Sequence, residues 1–206
     1  MAAYILVAIL SYFIGSVSFA VIFGKKFGGF DVRDKGSKGT GTTNVLRTVG
    51  KQAAVLTLIC DILKGIIAVL LAMLAGKIWG DTNTALLQYI SGFCAILGHT
   101  FPIFFEFRGG KGVATAIGIL LVLNWKIGLI CVIFGVILIA ITKMVSVGSV
   151  SAVILYPILT VFMAENAGFE CVLVSILITL LIIYNHRENL ERIKNGNENK
   201  LSFKGK

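Results

Sequence analysis

Charge is scarce in this chain. Only 14% of its 206 residues are Asp, Glu, Lys or Arg, against 57% hydrophobic. A water-soluble domain of this size could not hide so much apolar surface, so the bilayer is the natural solvent. Proline is nearly missing, with two residues, and with 23 glycines this fits close-packed membrane helices better than a loop-rich soluble fold. The four cysteines, Cys60, Cys94, Cys131 and Cys171, sit apart in apolar runs. They have no paired spacing, which argues against a disulfide framework or a CxxC metal site. No ligand cluster is visible, so neither metal nor cofactor is expected. Acidic residues are the minority, 10 against 19 basic ones, for a net charge of +9. At a mean hydropathy of +0.92 that excess points to uneven placement of cations across a membrane, not to nucleic acid.

A hydrocarbon core of about 30 Å takes roughly 20 apolar residues per helix. Such runs occur at Tyr4–Phe23, Ala53–Ala75 and Ala85–Phe105, and the last at Ala167–Tyr184. The long stretch Val113–Val161 is interrupted at Asn124-Trp125-Lys126 and at Lys143, giving three more. The expectation is an all-α, polytopic membrane protein of about seven transmembrane helices, forming a single domain over 1–206. With the N-terminus outside and the C-terminus cytoplasmic, seven cations fall inside in 24–52, two in 106–112, Lys143 between spans, and six in 185–206. Lys77 and Lys126 fall outside and Lys64 within a span, so the orientation follows the positive-inside rule. Residues 1–23 lack a basic n-region, and Lys25-Lys26 follow the run, so a retained helix is expected instead of a signal peptide.

Three polar, glycine-bearing segments emerge on that cytoplasmic side. In Gly36-Ser37-Lys38-Gly39-Thr40-Gly41-Thr42-Thr43-Asn44-Val45-Leu46-Arg47, glycines alternate with small hydroxylated residues, so backbone N–H groups can turn toward one anion while Arg47 grips phosphate. The alternative reading is a flexible basic loop on lipid headgroups. In the second, Gly109, Gly110 and Gly112 surround Lys111 directly before an apolar helix, a phosphate cradle. It is not a nucleotide P-loop: Phe105 stands where that motif needs glycine, and Gly112 replaces its Ser/Thr. The third begins at Tyr184-Asn185-His186; on a continuing helix His186 and Asn189 share a face. Asp61 and Lys64, three apart within a span, can neutralise each other. His99 reads as structural.

Together the three segments resemble the motifs of the bacterial acyl-phosphate:glycerol-3-phosphate acyltransferases. Gly36–Arg47 matches the family's Gly-Ser-Gly-Asn-x-Gly-Ala/Thr-Thr-Asn-x-x-Arg loop, and His99–Thr115 its His-x-Phe-Pro segment leading to Gly-Gly-Lys-Gly-Val-Ala-Thr. Asn185–Lys200 matches Asn-His-Arg-x-Asn-x-x-Arg followed by Gly-x-Glu-x-Lys. Lys38 and Gly39 depart from the usual Gly-Asn, and Ser18 from a common proline. The resemblance implies acyl transfer from acyl phosphate to the 1-hydroxyl of glycerol 3-phosphate, giving lysophosphatidate and phosphate, by a monomer of the bacterial inner membrane. It implies that Ser37, Arg47, Lys111, His186 and Asn189 handle the reacting centre. Thr43, Gly109 and Gly110, with Gly41, Asn44 and Gly112 in the same loops, would hold substrate.

An acyl phosphate already carries a good leaving group, so the expected task is to bring two phosphates together, with Arg47 and Lys111 offsetting their repulsion. The hydroxyl proton can pass to His186 or to a substrate phosphate. The second is preferred, with His186 positioning, because no carboxylate is placed in the sequence to orient the imidazole. The rival readings are a transporter for a phosphorylated solute and a lipid-binding scaffold. The three segments are unlike one another, whereas transporters often carry internal repeats.

Overall fold

A computed structural model describes residues 1–80, 83–164 and 168–201; the expected span start Ala167 and the tail lysines Lys204 and Lys206 lie outside the described residues. Among the described residues there are helices and loops and no strand. The chain packs as two compact units, Met1–Leu123 and Asn124–Lys206.

In the first unit the opening apolar run forms α1 (Ala2–Gly15) and α2 (Phe19–Phe23), prolonged by a π-helical turn at Gly24–Gly28. The helix breaks at 16–18, and the Val17 carbonyl, outside the helical ladder, accepts a hydrogen bond from Lys64 Nζ at 3.0 Å. Then follow α3 (Thr42–Thr48), α4 (Lys51–Trp79), α5 (Thr84–Thr100) and α6 (Val113–Leu123). α1 and α5 touch backbone to backbone: a Cβ on Gly98 would strike the Tyr12 carbonyl, so only glycine allows that approach. α4 and α6 meet likewise, with Gly118 against the Ile62 carbonyl. Ser91 Oγ donates to the Ala68 carbonyl at 2.7 Å and so accepts from Ser11 Oγ at 2.8 Å, which satisfies both hydroxyls where no water enters. On α4 the pattern is inside out. Ile59, Leu63, Ile67, Leu70 and Leu74 are exposed at helical spacing while Asp61 and Lys64 are buried, as lipid, not water, requires.

The second unit holds α7 (Trp125–Thr142), α8 (Val145–Met163), α9 (Phe169–Asn185) and α10 (Arg187–Lys194). Both expected interruptions are helix boundaries. Asn124 caps α7, its Oδ1 accepting from the Ile127 N–H at 3.2 Å, and Lys143 ends it in the left-handed region at φ 62°. Pro157 inside α8 lacks the N–H that would bond to the Val153 carbonyl one turn back. Thr179 Oγ1 on α9 donates to that carbonyl instead, at 2.9 Å.

Of the seven expected spans, five or six are supported by length and composition. Five helices or helix sets, Ala2–Gly28, Lys51–Trp79, Thr84–Phe105, Trp125–Thr142 and Val145–Met163, are long and apolar enough to cross a bilayer. A sixth exists if α9 and α10, bent by 58°, are one broken span. The segment expected as the fourth span, α6, has 11 residues, about 16 Å of helix, roughly half a hydrocarbon core.

Candidate active site

The loop between α2 and α3 is anchored from below. Val32 and Val45, both fully buried, pack with Ala20, Val21, Ala53 and Ala54. Asn44, 2% exposed, braces the loop: its Oδ1 accepts from the Ser37 N–H at 2.9 Å. Its Nδ2 donates to the carbonyls of Val32 at 2.9 Å, Gly39 at 2.9 Å and Lys35 at 3.2 Å. The Asn44 amide, expected to bind substrate, is spent on shaping the loop. Gly36 has φ 61°, and a Cβ there would strike Asn44 Oδ1. Lys38 takes φ 56°, a left-handed conformation that glycine adopts without penalty. The replacement of the family's Gly by Lys38 therefore sits at a strained position.

Ser37 and Arg47 are exposed, Thr43 is half-buried, and Thr43 and Arg47 lie four apart on one face of α3. Gly41 is the N-cap of α3. Thr42 Oγ1, not singled out in the sequence, is buried without a hydrogen-bond partner among the described residues.

The second loop of this unit joins the first. The Arg33 guanidinium grips Asp31 through Nε and Nη2 at 3.0 and 2.9 Å, and its Nη1 donates to the Phe105 carbonyl at 2.8 Å. That side-chain hydrogen bond from Arg33 holds the Asp31 carboxyl below its ordinary range. Gly110 packs between His99 and Thr40: a Cβ there would strike His99 Nε2 and lie 3.1 Å from Thr40 Oγ1. The Gly110 N–H donates to the His99 carbonyl at 3.0 Å. Gly109 backs onto the His99 and Thr100 carbonyls, and Gly112 takes φ 86°. Lys111 is half-buried between the buried Gly110 and Gly112. The structure thus brings the Gly109–Gly112 turn against the Ser37–Arg47 loop at Thr40.

In the second unit, the expected continuous helix through His186 is not formed. α9 stops at Asn185, and His186, at φ −99° and ψ 6°, stands at the bend before α10. His186, the residue before α10, and Asn189, in its first turn, are both buried. His186 Nδ1–H donates to the Ile182 carbonyl at 2.8 Å, so the neutral ring carries its lone pair on Nε2. The orienting group missing from the sequence is a backbone oxygen. Asn189 Nδ2 donates to Glu198 Oε1 at 2.7 Å, which also accepts from Ser146 Oγ at 2.8 Å, while Arg192 Nε reaches Oε2 at 3.0 Å. Burial pushes the Glu198 carboxyl up, but the Asn189, Ser146 and Arg192 hydrogen bonds outweigh it and hold it below its ordinary range. Arg33, Asp31, Ser146 and Glu198 were missed as site-building residues; Glu198 alone carried a signal, as the acid in the Gly-x-Glu-x-Lys match.

The family model described as glycerol-3-phosphate acyltransferase matches residues 5–196. The chain belongs to this acyltransferase family. A glycerol-3-phosphate acyltransferase of Clostridioides difficile (strain 630) is 41% identical over 202 residues, 98% of this chain and 97% of the relative. One from Fusobacterium nucleatum subsp. nucleatum is 40% identical over 195 residues, 95% and 96% of the two chains. The crystal structure of PlsY (YgiH), an integral membrane glycerol 3-phosphate acyltransferase in its glycerol 3-phosphate form, superposes with a TM-score of 0.85 at 34% identity. It covers 97% of this chain and 96% of that one. Its lysophosphatidic acid form gives 0.83 at the same identity, covering 97% and 95%. This acyltransferase is accordingly a multi-pass membrane protein, and the family match runs across both of its units.

Proposed function

We propose that this acyltransferase uses acyl phosphate as donor and acylates the sn-1 hydroxyl of glycerol 3-phosphate. The hydroxyl oxygen attacks the acyl carbonyl carbon, the new ester bond forms, and the bond from that carbon to the phosphate oxygen breaks. The hydroxyl proton leaves on a phosphate oxygen, so lysophosphatidate and inorganic phosphate result. One observation carries this reading: the Gly109–Gly112 turn, with Lys111, packs against the Ser37–Arg47 loop at Gly110 and Thr40. Two phosphate-directed loops from distant parts of the chain meet there, as a reaction between two phosphorylated substrates requires.

In this reading Arg47 and Lys111 neutralise phosphate charge, and Ser37 and Thr43 donate hydroxyls. Gly41, Gly109, Gly110 and Gly112 let backbone N–H groups approach, and Asn44 supports them through the loop. His186 and Asn189 act on the hydroxyl acceptor. A second reading makes His186 the general base, and the Ile182 carbonyl favours it, because that bond leaves Nε2 as an acceptor. The protein works as a monomer and one integral-membrane domain in the bacterial inner membrane, its loops cytoplasmic. An outside N-terminus with a cytoplasmic C-terminus requires an odd number of crossings. The short α6, preceded by the protein-buried residues Gly110 and Gly112, completes the seventh.

The test is turnover of purified protein with acyl phosphate and glycerol 3-phosphate. Lysophosphatidate should form, and Lys111→Ala should nearly abolish it. Folded Lys111→Ala protein with retained turnover sinks the site assignment. Transfer from acyl-CoA or acyl carrier protein alone sinks the donor. Solute flux into liposomes without acyl transfer favours a transporter. A pH profile of His186→Ala separates its two roles: loss of the acidic limb, where protonation of the ring slows the wild type, marks a base, and a uniform drop a positioning group.

A further inference from the structure

Lys64 lies in mid-α4, 3% exposed, and its ammonium has three polar neighbours. These are the Val17 carbonyl at 3.0 Å, His99 Nδ1 at 2.8 Å and, as an ion pair, Asp61 Oδ1 at 2.8 Å. An ammonium has no lone pair, so at this contact His99 Nδ1 must accept. The neutral ring therefore carries its proton on Nε2. A second proton on Nδ1 would set N–H against the Lys64 N–H at 2.8 Å, and the Asp61 carboxylate, 3.7 Å from Nδ1, is too far to accept it in a hydrogen bond, so the ring stays neutral with its proton on Nε2.

That Nε2 lies against Gly110, the residue before Lys111, with Thr40 Oγ1 near the same point. A Cβ on Gly110 would collide with it, so the ring edge reaches the turn only because that residue is glycine. The reaction as proposed above gives His99 no part, and the ion pair beneath it none. Yet the arrangement fixes one neutral donor at the edge of a phosphate-directed turn.

We propose that His99 Nε2–H donates a hydrogen bond to a phosphoryl oxygen of substrate at the Gly109-Gly110-Lys111 turn. Lys64 and Asp61 are positioning residues that act through His99 by locking its tautomer. The inference rests on the acyl-phosphate reading and assigns a further residue to that site. A neutral donor stabilises charge growing on the departing phosphate without competing for the hydroxyl proton.

His99 and His186 are the two histidines of the chain, so the full-length protein with 15N-labelled histidine, in detergent, gives two ring spin systems to resolve by NMR. The expected result for His99 is the Nε2–H tautomer, its N–H resonance moving on addition of glycerol 3-phosphate or of a non-hydrolysable acyl phosphonate. Whichever of the two moves it names the phosphate that is bound. Kinetics give a second arm. His99→Gln sets an amide N–H near the Nε2–H position and gives up the acceptor for Lys64; His99→Asn keeps that acceptor and loses the donor. His99→Ala and His99→Asn should each lower kcat/KM about a hundredfold, with His99→Gln recovering most of the loss. An Nδ1–H tautomer, a resonance that neither phosphate moves, His99→Gln as impaired as His99→Ala, or full activity in His99→Asn overturns the proposal. A wild type that fails to use acyl phosphate overturns the reaction instead, and the tautomer and the glycerol 3-phosphate shift still decide the donor.

Discussion

Asn44→Asp changes one NH2 to one oxygen, and the structure makes it costly. The side chain keeps its bond from the Ser37 N–H, but the group that donated to the Val32, Lys35 and Gly39 carbonyls becomes an acceptor facing three acceptors. Each net hydrogen bond is worth about 1 kcal/mol, and a buried polar group left facing no partner costs about 1–3 kcal/mol. The Val32 contact lies deepest, and the outer carbonyls of Lys35 and Gly39 can turn to water. The expected loss is about 3 kcal/mol for Asn44→Asp and about 2 kcal/mol for Asn44→Ala, which deletes the bonds without adding a charge.

The assay is thermal unfolding in detergent alongside limited proteolysis of residues 35–41 and turnover with both substrates. A brace predicts all three change together: a lower Tm, faster cleavage within the loop, and activity lost mainly through kcat. A residue that only touches substrate predicts a raised KM with unchanged melting and cleavage. Asn44→Asp with wild-type Tm and an intact loop would refute the bracing argument.

Glu198→Gln should loosen the segment that Glu198 ties to Asn189, Ser146 and Arg192. A carboxyl held below its ordinary value of 4.5 contributes stability above that pH and loses it as pH falls through the lower folded value. Hydrogen exchange at residues 195–201 should therefore stay slow in the wild type at neutral pH and speed up only below about pH 4.5. In the variant it should be fast throughout, and a wild-type profile flat to strong acid contradicts this. Lys38→Gly relieves a left-handed lysine, a penalty of roughly 1–2 kcal/mol, offset in part by the chain entropy of glycine. Melting should rise or hold steady with activity retained, and a clear fall in Tm counts against strain at that residue. Thr179→Val removes the donor that serves the Val153 carbonyl beside Pro157, at about 1–2 kcal/mol. In a Pro157→Ala background the restored N–H takes over and the cost should vanish; equal losses in both backgrounds reject the coupling.

What the sequence revealed of this molecule depended on whether a residue's partner was another side chain or the backbone. Apolar runs and the interruptions at Asn124-Trp125-Lys126 and at Lys143 are local and were legible from residue type alone. The Asp61–Lys64 pair was legible from spacing, because three residues apart on a helix is a contact. Asn44, Thr179 and His186 are different. Each spends its polar group on a carbonyl, 12 residues away for Val32 and 26 for Val153, and a carbonyl has no letter in the sequence. For His186 the consequence reaches the chemistry. The preference for a substrate phosphate as proton acceptor rested on there being no carboxylate to hold the ring, and the Ile182 carbonyl performs that task unseen. α9 ends at Asn185 and α10 starts at Arg187, so the bend at His186 turns the ring back onto its own last helical turn. Straightening the bend would return that carbonyl to the helical ladder. The break in the helix and the orientation of the imidazole are one structural event, and a substitution that makes 182–190 continuous should cost His186 its role whether that role is base or positioning group.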